Sequence, residues 1–444
     1  VVHFRSRIAI ALSLLAATFC VPVRAGAAEA TGVVRPPLAF VTVLGINGGH
    51  GDVVVVSPRD GRTVATIAVG LEPIAVAITP DASSALVLDE GGYISVIDTA
   101  SFVQRTTIPV CRLADAIAIT PNGNTAVVGC PNDSSLDLID VATGHITSVA
   151  LPFPPGAIAI TPDGHTADVV LPTSSFSDPT GEVVPVSIQS GAVGTALRLS
   201  GWIGDKAAFT PDGKHLLVSY DGNTQTGSAV DVIDTASDTI SAVIPVPSIP
   251  TGLAITADGT TAYVSCWLIG NEVFPISLNG ASLNPLLGVG SRDVAVTPDA
   301  KTLVSLNDFA GSIDSYDAQT LQFLGGSSVG LLRPWTVAIT PDQAPRASLR
   351  LSHVHRKTVT LDASASFAPS TPITTYNWNF GDGTTALTTT PTITHRYHRF
   401  GTYTATVTLT DAAGTSLQQA FTGQTVARNG GPTAAAHTLV HLSH

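Results

Sequence analysis

The sequence predicts an all-β chain: a seven-bladed β-propeller followed by a shorter β-domain. Three observations carry that expectation. An apolar run ending in Ala-x-Thr recurs at Thr79, Thr120, Thr161, Thr210, Thr256, Thr297 and Thr340, at intervals of 41 to 49 residues, and usually continues into Pro-Asp. Each anchor is followed by two or three more β-type segments, the pattern of a four-stranded blade repeated around an axis. After Pro341 and Asp342 the period stops and strand-like segments of another kind take over.

One unit shows why each element forms. Pro73 to Thr79 alternates small and branched residues as a first strand, and Pro80-Asp81-Ala82-Ser83 closes a tight turn because proline presets φ at its corner. Ser84 to Leu88 and Tyr93 to Ile97 read as the second and third strands. Asp98-Thr99-Ala100-Ser101 forms the next turn, and Gln104 to Val110 the fourth strand. Two residues before every anchor stands an alanine: Ala77, Ala118, Ala159, Ala208, Ala254, Ala295 and Ala338. Innermost strands converge on the axis, so small residues on one face and larger ones on the other are what packing there requires. Before the first anchor the chain supplies only three strands, within 38–69, and the segment 335–340 supplies one more; together they complete a seventh blade and leave no open edge.

These anchors, with Val96-Ile97-Asp98-Thr99-Ala100 and Val232-Ile233-Asp234-Thr235-Ala236, resemble the YVTN-type bacterial β-propeller repeat, over about residues 36–343. The third, fifth and sixth units depart from its second turn, with Ser187-Ile188-Gln189, Ser277-Leu278-Asn279 and Ser315-Tyr316-Asp317. The second region carries Trp378-Asn379-Phe380-Gly381-Asp382-Gly383 and a later Gly401-Thr402-Tyr403 strand, and over residues 344–426 it resembles a PKD domain. That resemblance implies an immunoglobulin-like β-sandwich used as an accessory spacer or binding module. Alternation puts Tyr376, Trp378 and Phe380 on one face, as its core, and makes Asp382 a turn residue.

The ends read differently. Arg5 and Arg7 precede an apolar run from Ile8 to Val23, and Ala25-Gly26-Ala27 offers a cleavage site, so residues 1–27 are expected to be a secretory signal and 28–35 a linker. The run is shorter than the ~20 residues of a spanning helix. The mature chain is therefore expected outside the cell, at its surface or secreted, as a monomer without a membrane span. Residues 427–444 show no packing pattern and are expected to form a mobile tail, in which His437, His441 and His444 have helical spacing.

With a formal charge of -12 and no basic stripe, nucleic acid is excluded as a partner. In a four-stranded blade the turns after strands one and three share one face, so variable material gathers on the other. The third unit inserts 172–181 there, with Phe176 and Asp178, and the fourth carries Tyr220, Asp221 and Asn223 at the same place. Five residues before the anchors, at the expected channel mouth, stand Ile74, Asp115, Gly156, Asp205, Thr251, Arg292 and Trp335, and Trp202 and Trp267 fall on that face. Asp115, Asp205, Arg292, Trp335, Trp202 and Trp267 thus join the loop residues as candidate ligand contacts. Functional residues collect in such loops.

Cys130 and Cys266 occupy equivalent positions three blades apart, too far for a bond, whereas Cys111 and Cys130 meet at one edge of the second blade and are expected to pair. No nucleophile elbow, phosphate loop or zinc spacing is present, so no cofactor or metal is expected. The reading is a non-enzymatic binding or scaffold protein that recognises an extracellular protein or polysaccharide. The alternative is a lactonase- or lyase-like propeller enzyme with its site at the channel mouth.

Overall fold

The computed structural model describes residues 35–45, 49–172, 180–201, 203–222, 227–247, 249–267, 272–279 and 291–443, without the side chains of 203–205. The expected signal peptide and most of the linker lie outside them. The described chain is all-β, apart from two short 3-10 turns, and consists of small sheets that are almost entirely antiparallel.

The first region contains twenty-seven strands among the described residues. The chain opens with β1 (Ala39–Leu44), β2 (His50–Val56) and β3 (Thr63–Leu71). Sheet one is β4 (Pro73–Ile78), β5 (Ser84–Asp89), β6 (Tyr93–Asp98) and β7 (Val103–Pro109). Sheet two is β8 (Ala116–Ile119), β9 (Thr125–Cys130), β10 (Ser135–Asp140) and β11 (Ile146–Ala150). Sheet three is β12 (Ile158–Ile160), β13 (Thr166–Leu171), β14 (Glu182–Ser187) and the two-residue β15 (Leu197–Arg198). Sheet four is β16 (Ile203–Phe209), β17 (His215–Asp221), β18 (Ala229–Asp234) and β19 (Thr239–Pro245). Sheet five has β20 (Ile249–Ile255), β21 (Thr261–Trp267) and β22 (Glu272–Ser277) among the described residues. Sheet six is β23 (Val294–Val296), β24 (Thr302–Asn307), β25 (Ser312–Asp317) and β26 (Phe323–Ser328). Finally β27 (Arg333–Ile339) pairs antiparallel with β1, Ile339 opposite Ala39, to make sheet seven in the order β27-β1-β2-β3.

Each anchor builds its turn in the same way. Thr79 Oγ1 donates to Asp81 at 2.7 Å and accepts from the Ser84 amide at 3.0 Å, tying the end of one strand to the start of the next. The arrangement recurs at Thr120, Thr161, Thr210, Thr256 and Thr297, with Asn122 in place of aspartate at the second unit. At Thr340 the partner comes from the other end of the chain: its Oγ1 accepts from the Leu38 amide at 2.8 Å.

The first strands lie against one another in sequence: β4 with β8, β8 with β12, β12 with β16, β16 with β20, β20 with β23, β23 with β27, and β27 with β4. Between each neighbouring pair of sheets lies a buried apolar cluster, from Leu86, Ile117 and Val128 between sheets one and two to Phe40, Val53 and Val87 between seven and one. Cys111 and Cys130 are disulfide-bonded, with Cα atoms 5.8 Å apart, and Cys266 is buried outside that bond.

The second region adds β28 (Asp342–Gln343), β29 (Arg350–His355), β30 (Thr358–Asp362), β31 (Ile373–Asn379), β32 (Thr385–Thr388), β33 (Thr392–Arg396), β34 (Gly401–Asp411), β35 (Ala420–Phe421), β36 (Val426–Asn429) and β37 (Ala435–Leu442). Two sheets, β29-β30-β33 and β32-β31-β34-β37, enclose a core of Tyr376, Trp378, Phe380 and Tyr397. Trp378 Nε1 donates to Thr388 and the Tyr397 hydroxyl to the Phe380 carbonyl, each at 2.9 Å, so both aromatic polar atoms are satisfied inside the sandwich. Asp382 closes its turn on the Thr384 amide and also meets His395 Nε2 at 2.8 Å; burial opposes its charge, but these hydrogen bonds pull its carboxyl down to about 2.

The expected mobile tail is corrected here. Residues 435–442 form a strand that pairs along β34 from Thr408 to Gly401 and buries Val440 and Leu442 in the core. His437 and His441 stand on an extended strand, where the period is two, so the helical spacing brings no histidines together.

Asp342 and Asp411, both fully or almost fully buried, meet side chain to side chain where the two regions join. Burial and the Asp411 carboxyl push Asp342 up to about 8, so it holds its proton at neutral pH. A pKa raised above its unfolded value means stability that is complete at acid pH and is lost as pH rises from about 4 through 8. Replacing Asp342→Asn is therefore expected to gain stability relative to the parent on going from pH 5 to pH 9. Thermal unfolding across that range reads the effect, and a constant difference between the two proteins would contradict it. Removing the disulfide with Cys111→Ala and Cys130→Ala opens a loop of 19 residues and is expected to cost about 3 kcal/mol in denaturant unfolding.

Candidate functional site

The turns after the first and third strands share one face. Thr235 shows it directly: its amide donates to the Lys214 carbonyl at 3.0 Å and its hydroxyl to the Gly213 carbonyl at 2.7 Å. The sequence assigned this regular face no role, and the structure corrects that: the second region docks on it. Gln343 and Gln419 donate to the carbonyls of Pro80 and Pro121, each at 2.9 Å, and Arg428 donates to that of Pro298, also at 2.9 Å. Those prolines are the residues after anchors one, two and six.

Between β35 and β36 the chain then enters the space among the first strands. Ile160 and Phe209, whose amides lie on inner strand edges, donate to the Gly423 and Thr422 carbonyls at 2.6 and 3.0 Å. Gln424 Nε2 donates to the Ala207 carbonyl at 2.9 Å, and Phe421 and Val426 join the apolar cluster between sheets two and three. Gly423 has φ +88, and a Cβ there would stand 2.9 Å from the Phe209 nitrogen, so the approach needs glycine.

What remains among the first strands is a cavity of about 70 Å³, bounded by Lys206, Asp293, Thr422 and Gln424. That is far below the roughly 300–1,000 Å³ of a small-molecule pocket. Asp293 is buried and its carboxylate accepts from the amides of Val294 and Val337, at 3.0 and 3.1 Å, tying sheet six to sheet seven. Burial raises its pKa, against the pull of Lys206 and Arg292. Asp115 is exposed at its strand end, yet desolvation pushes it up to about 8, with Lys206 acting the other way.

Three of the sequence candidates fall on one continuous rim of this mouth. The Arg292 guanidinium lies 3.6 Å over the Trp335 ring, and Arg333 approaches the same ring at 5.4 Å. Arg333 pairs with the buried carboxylate of Asp308 at 3.0 Å. Next to Asp308, Phe309 is 64% exposed and stacks on Trp267, with centroids 6.0 Å apart and planes 9° from parallel. From sheet five to sheet seven the rim thus sets two stacked aromatics, Trp267 and Phe309, next to the Arg333, Trp335 and Arg292 group.

Other candidates are not brought there. Tyr220 is only 2% exposed, packs against Gly201, and its hydroxyl is pushed up to about 12 by burial and Asp231; it is a core residue and not a ligand contact. Asp221 accepts from Ser228 at 2.9 Å. Phe176, Asp178, Trp202 and Asn223, and the side chain of Asp205, lie outside the described residues. Sequence reasoning passed over Lys206 and Asp293, although a signal existed: four residues before the anchors the other units carry Ala75, Ala116, Ala157, Gly252 and Thr336. Asp308 and Phe309 left no repeat signal, because they lie in the connection between β24 and β25, and Arg333 opens β27 at a position the sequence places before that strand.

A PKD domain model matches residues 343–426. PKD domains are typically extracellular modules. No curated protein matches the chain. Among solved structures, Kuenenia stuttgartiensis hydrazine synthase aligns over 66% of this chain and 98% of its own, at 21% identity and a TM-score of 0.54. A functionally unknown protein from Desulfotomaculum acetoxidans aligns over 68% of this chain and 98% of its own, at 16% identity and a TM-score of 0.56. At such identities the likeness is one of fold. Among the described residues no helix is long and apolar enough to cross a membrane.

Proposed function

We propose that this chain is an exported binding protein: a closed seven-bladed propeller of YVTN type whose open mouth recognises an extracellular polysaccharide carrying acidic groups. The circuit of first-strand contacts, which returns from β27 to β4, supports closure. The PKD match and the apolar N-terminal run after Arg5 and Arg7 support export. The observation that carries the recognition is the guanidinium–aromatic rim of Arg292, Trp335, Arg333, Phe309 and Trp267. An aromatic face receives the C–H face of a sugar, and a stacked guanidinium is held in place to meet a carboxylate or sulfate. In this reading the PKD domain acts as the stopper of the opposite end and not only as a spacer.

A second reading is favoured by one observation. Asp115, raised to about 8 by desolvation and within the field of Lys206, is a perturbed carboxyl five residues before an anchor, the kind of group a propeller lactonase or lyase would need. Asp293 does not complete an acid–base pair, since its oxygens are held by backbone amides between strands.

The purified chain, applied to an array of neutral and acidic polysaccharides, is expected to retain acidic ones. Arg292→Ala and Trp335→Ala should each weaken that binding about tenfold, while melting as the parent does. Undiminished binding by both variants, or retention of none of the acidic polysaccharides, would sink the recognition reading. Turnover of a lactone panel that is lost in Asp115→Asn would replace it with the enzymatic one.

A further inference from the structure

We propose a second binding site, separate from the mouth: the cleft between sheets three and four takes a small organic cation with an apolar body. The cleft measures about 880 Å³ and opens among the turns at Thr161–Asp163 and Thr235–Asp238. Its walls include Val183, Pro185, Leu197, Phe209, Leu216 and Ile233, and Asp168 stands within it.

Its origin is a local failure of the repeat. Pro185, in the third strand of sheet three, has no amide to give to a fourth strand, so pairing with β15 is confined to Glu182 and Val183. The outer strand is interrupted: β15 has two residues where other complete sheets have five to nine, the Gly194 amide donates to the Pro185 carbonyl at 2.8 Å and Val193 bridges to Val186, and Thr195, Ala196 and Leu197 line the cleft.

A second departure places the charge. Seven residues after each anchor the sequence supplies the side chain that fills the gap to the next sheet: Leu86, Val127, Leu217, Tyr263 and Val304, with Phe40 at the equivalent register of sheet seven. All six are buried members of the inter-sheet clusters. At sheet three the residue is Asp168. A carboxylate at a core position is costly unless something compensates it. Desolvation pushes Asp168 up to about 7, with Asp238 adding to the rise, and among the described residues no cation acts measurably against it.

The other groups at the cleft sharpen the ligand class. Asp163 and Asp212 are exposed at the rim and keep lowered pKa values against partial desolvation, through Thr161, Thr210 and neighbouring amides, with the charge of His165 acting on Asp163 and Lys214 lying 3.3 Å from Asp212. Among the described residues these carboxylates do not converge as a metal-ligand group. Spread acidic groups over apolar walls suit an ammonium or guanidinium on a hydrocarbon body rather than a bare ion.

Calorimetry of the full chain with 4-phenylbutylamine and its neutral counterpart 4-phenyl-1-butanol tests the proposal. The amine is expected to bind at least about tenfold tighter at pH 8 and to lose about tenfold in affinity by pH 6, as Asp168 takes up its proton. Asp168→Asn should abolish the preference for the amine. Asp168→Leu restores the residue type of Leu86 and Leu217, so it should fold at least as stably while filling the cleft and weakening both ligands. Equal affinity for amine and alcohol, no binding of either, or amine binding unchanged in both variants would overturn the site.

Discussion

The threonine at the end of each first strand is the interaction on which the rest depends. One hydroxyl serves two bonds, donating to the aspartate two residues on and accepting from the amide five residues on. This fixes where the first strand stops and the second starts, and so sets the register that sends alanine to one face and a branched residue to the other. Repeated at one position per sheet, it gives the first strands a common geometry, so that each can lie against the next. Thr340 has no following turn of its own. Its use of the Leu38 amide makes the same bond between the two ends of the first region, and the last first strand is thereby held by the earliest described strand.

First strands carry a second constraint. Each pairs on one side only, leaving backbone groups along its inner edge, and an open edge has to be covered or solvated. The segment 422–424 covers part of it, taking bonds from Ile160 and Phe209 and giving one to Ala207. Glutamine and arginine from the second domain read the carbonyls beyond three of the anchors. The regularity that made those turns look functionally empty is what lets one domain recognise them.

Much of this was legible because it is periodic. The anchors, their alanines, the turn chemistry and the aromatic triplet Tyr376, Trp378 and Phe380 all announce themselves by spacing. The strand at 435–442 did not, for its sequence Ala-Ala-His-Thr-Leu-Val-His-Leu has few large apolar residues and its stability comes from pairing along β34. Tyr220 was misplaced for a related reason: it ends a strand beside a variable loop, and only the packing of Gly201 against its ring shows that it points inward. The rim contacts of Phe309 with Trp267 and of Asp308 with Arg333 arise only through the meeting of different sheets.

The charged departures from the repeat differ in how they are compensated, and that difference separates structure from recognition. Asp293 replaces a small residue at the inner edge, yet two backbone amides accept the role of counter-charge and convert it into a tie between sheets. Asp342 is neutralised by its own proton against Asp411. Asp168 replaces a core side chain and faces a cleft, with another carboxylate as its nearest electrostatic neighbour. A repeat protein tolerates a buried charge where the fold itself answers it. At the half-buried Asp168 no backbone amide of the described residues plays that part, and a proton or the cation we propose answers the charge instead.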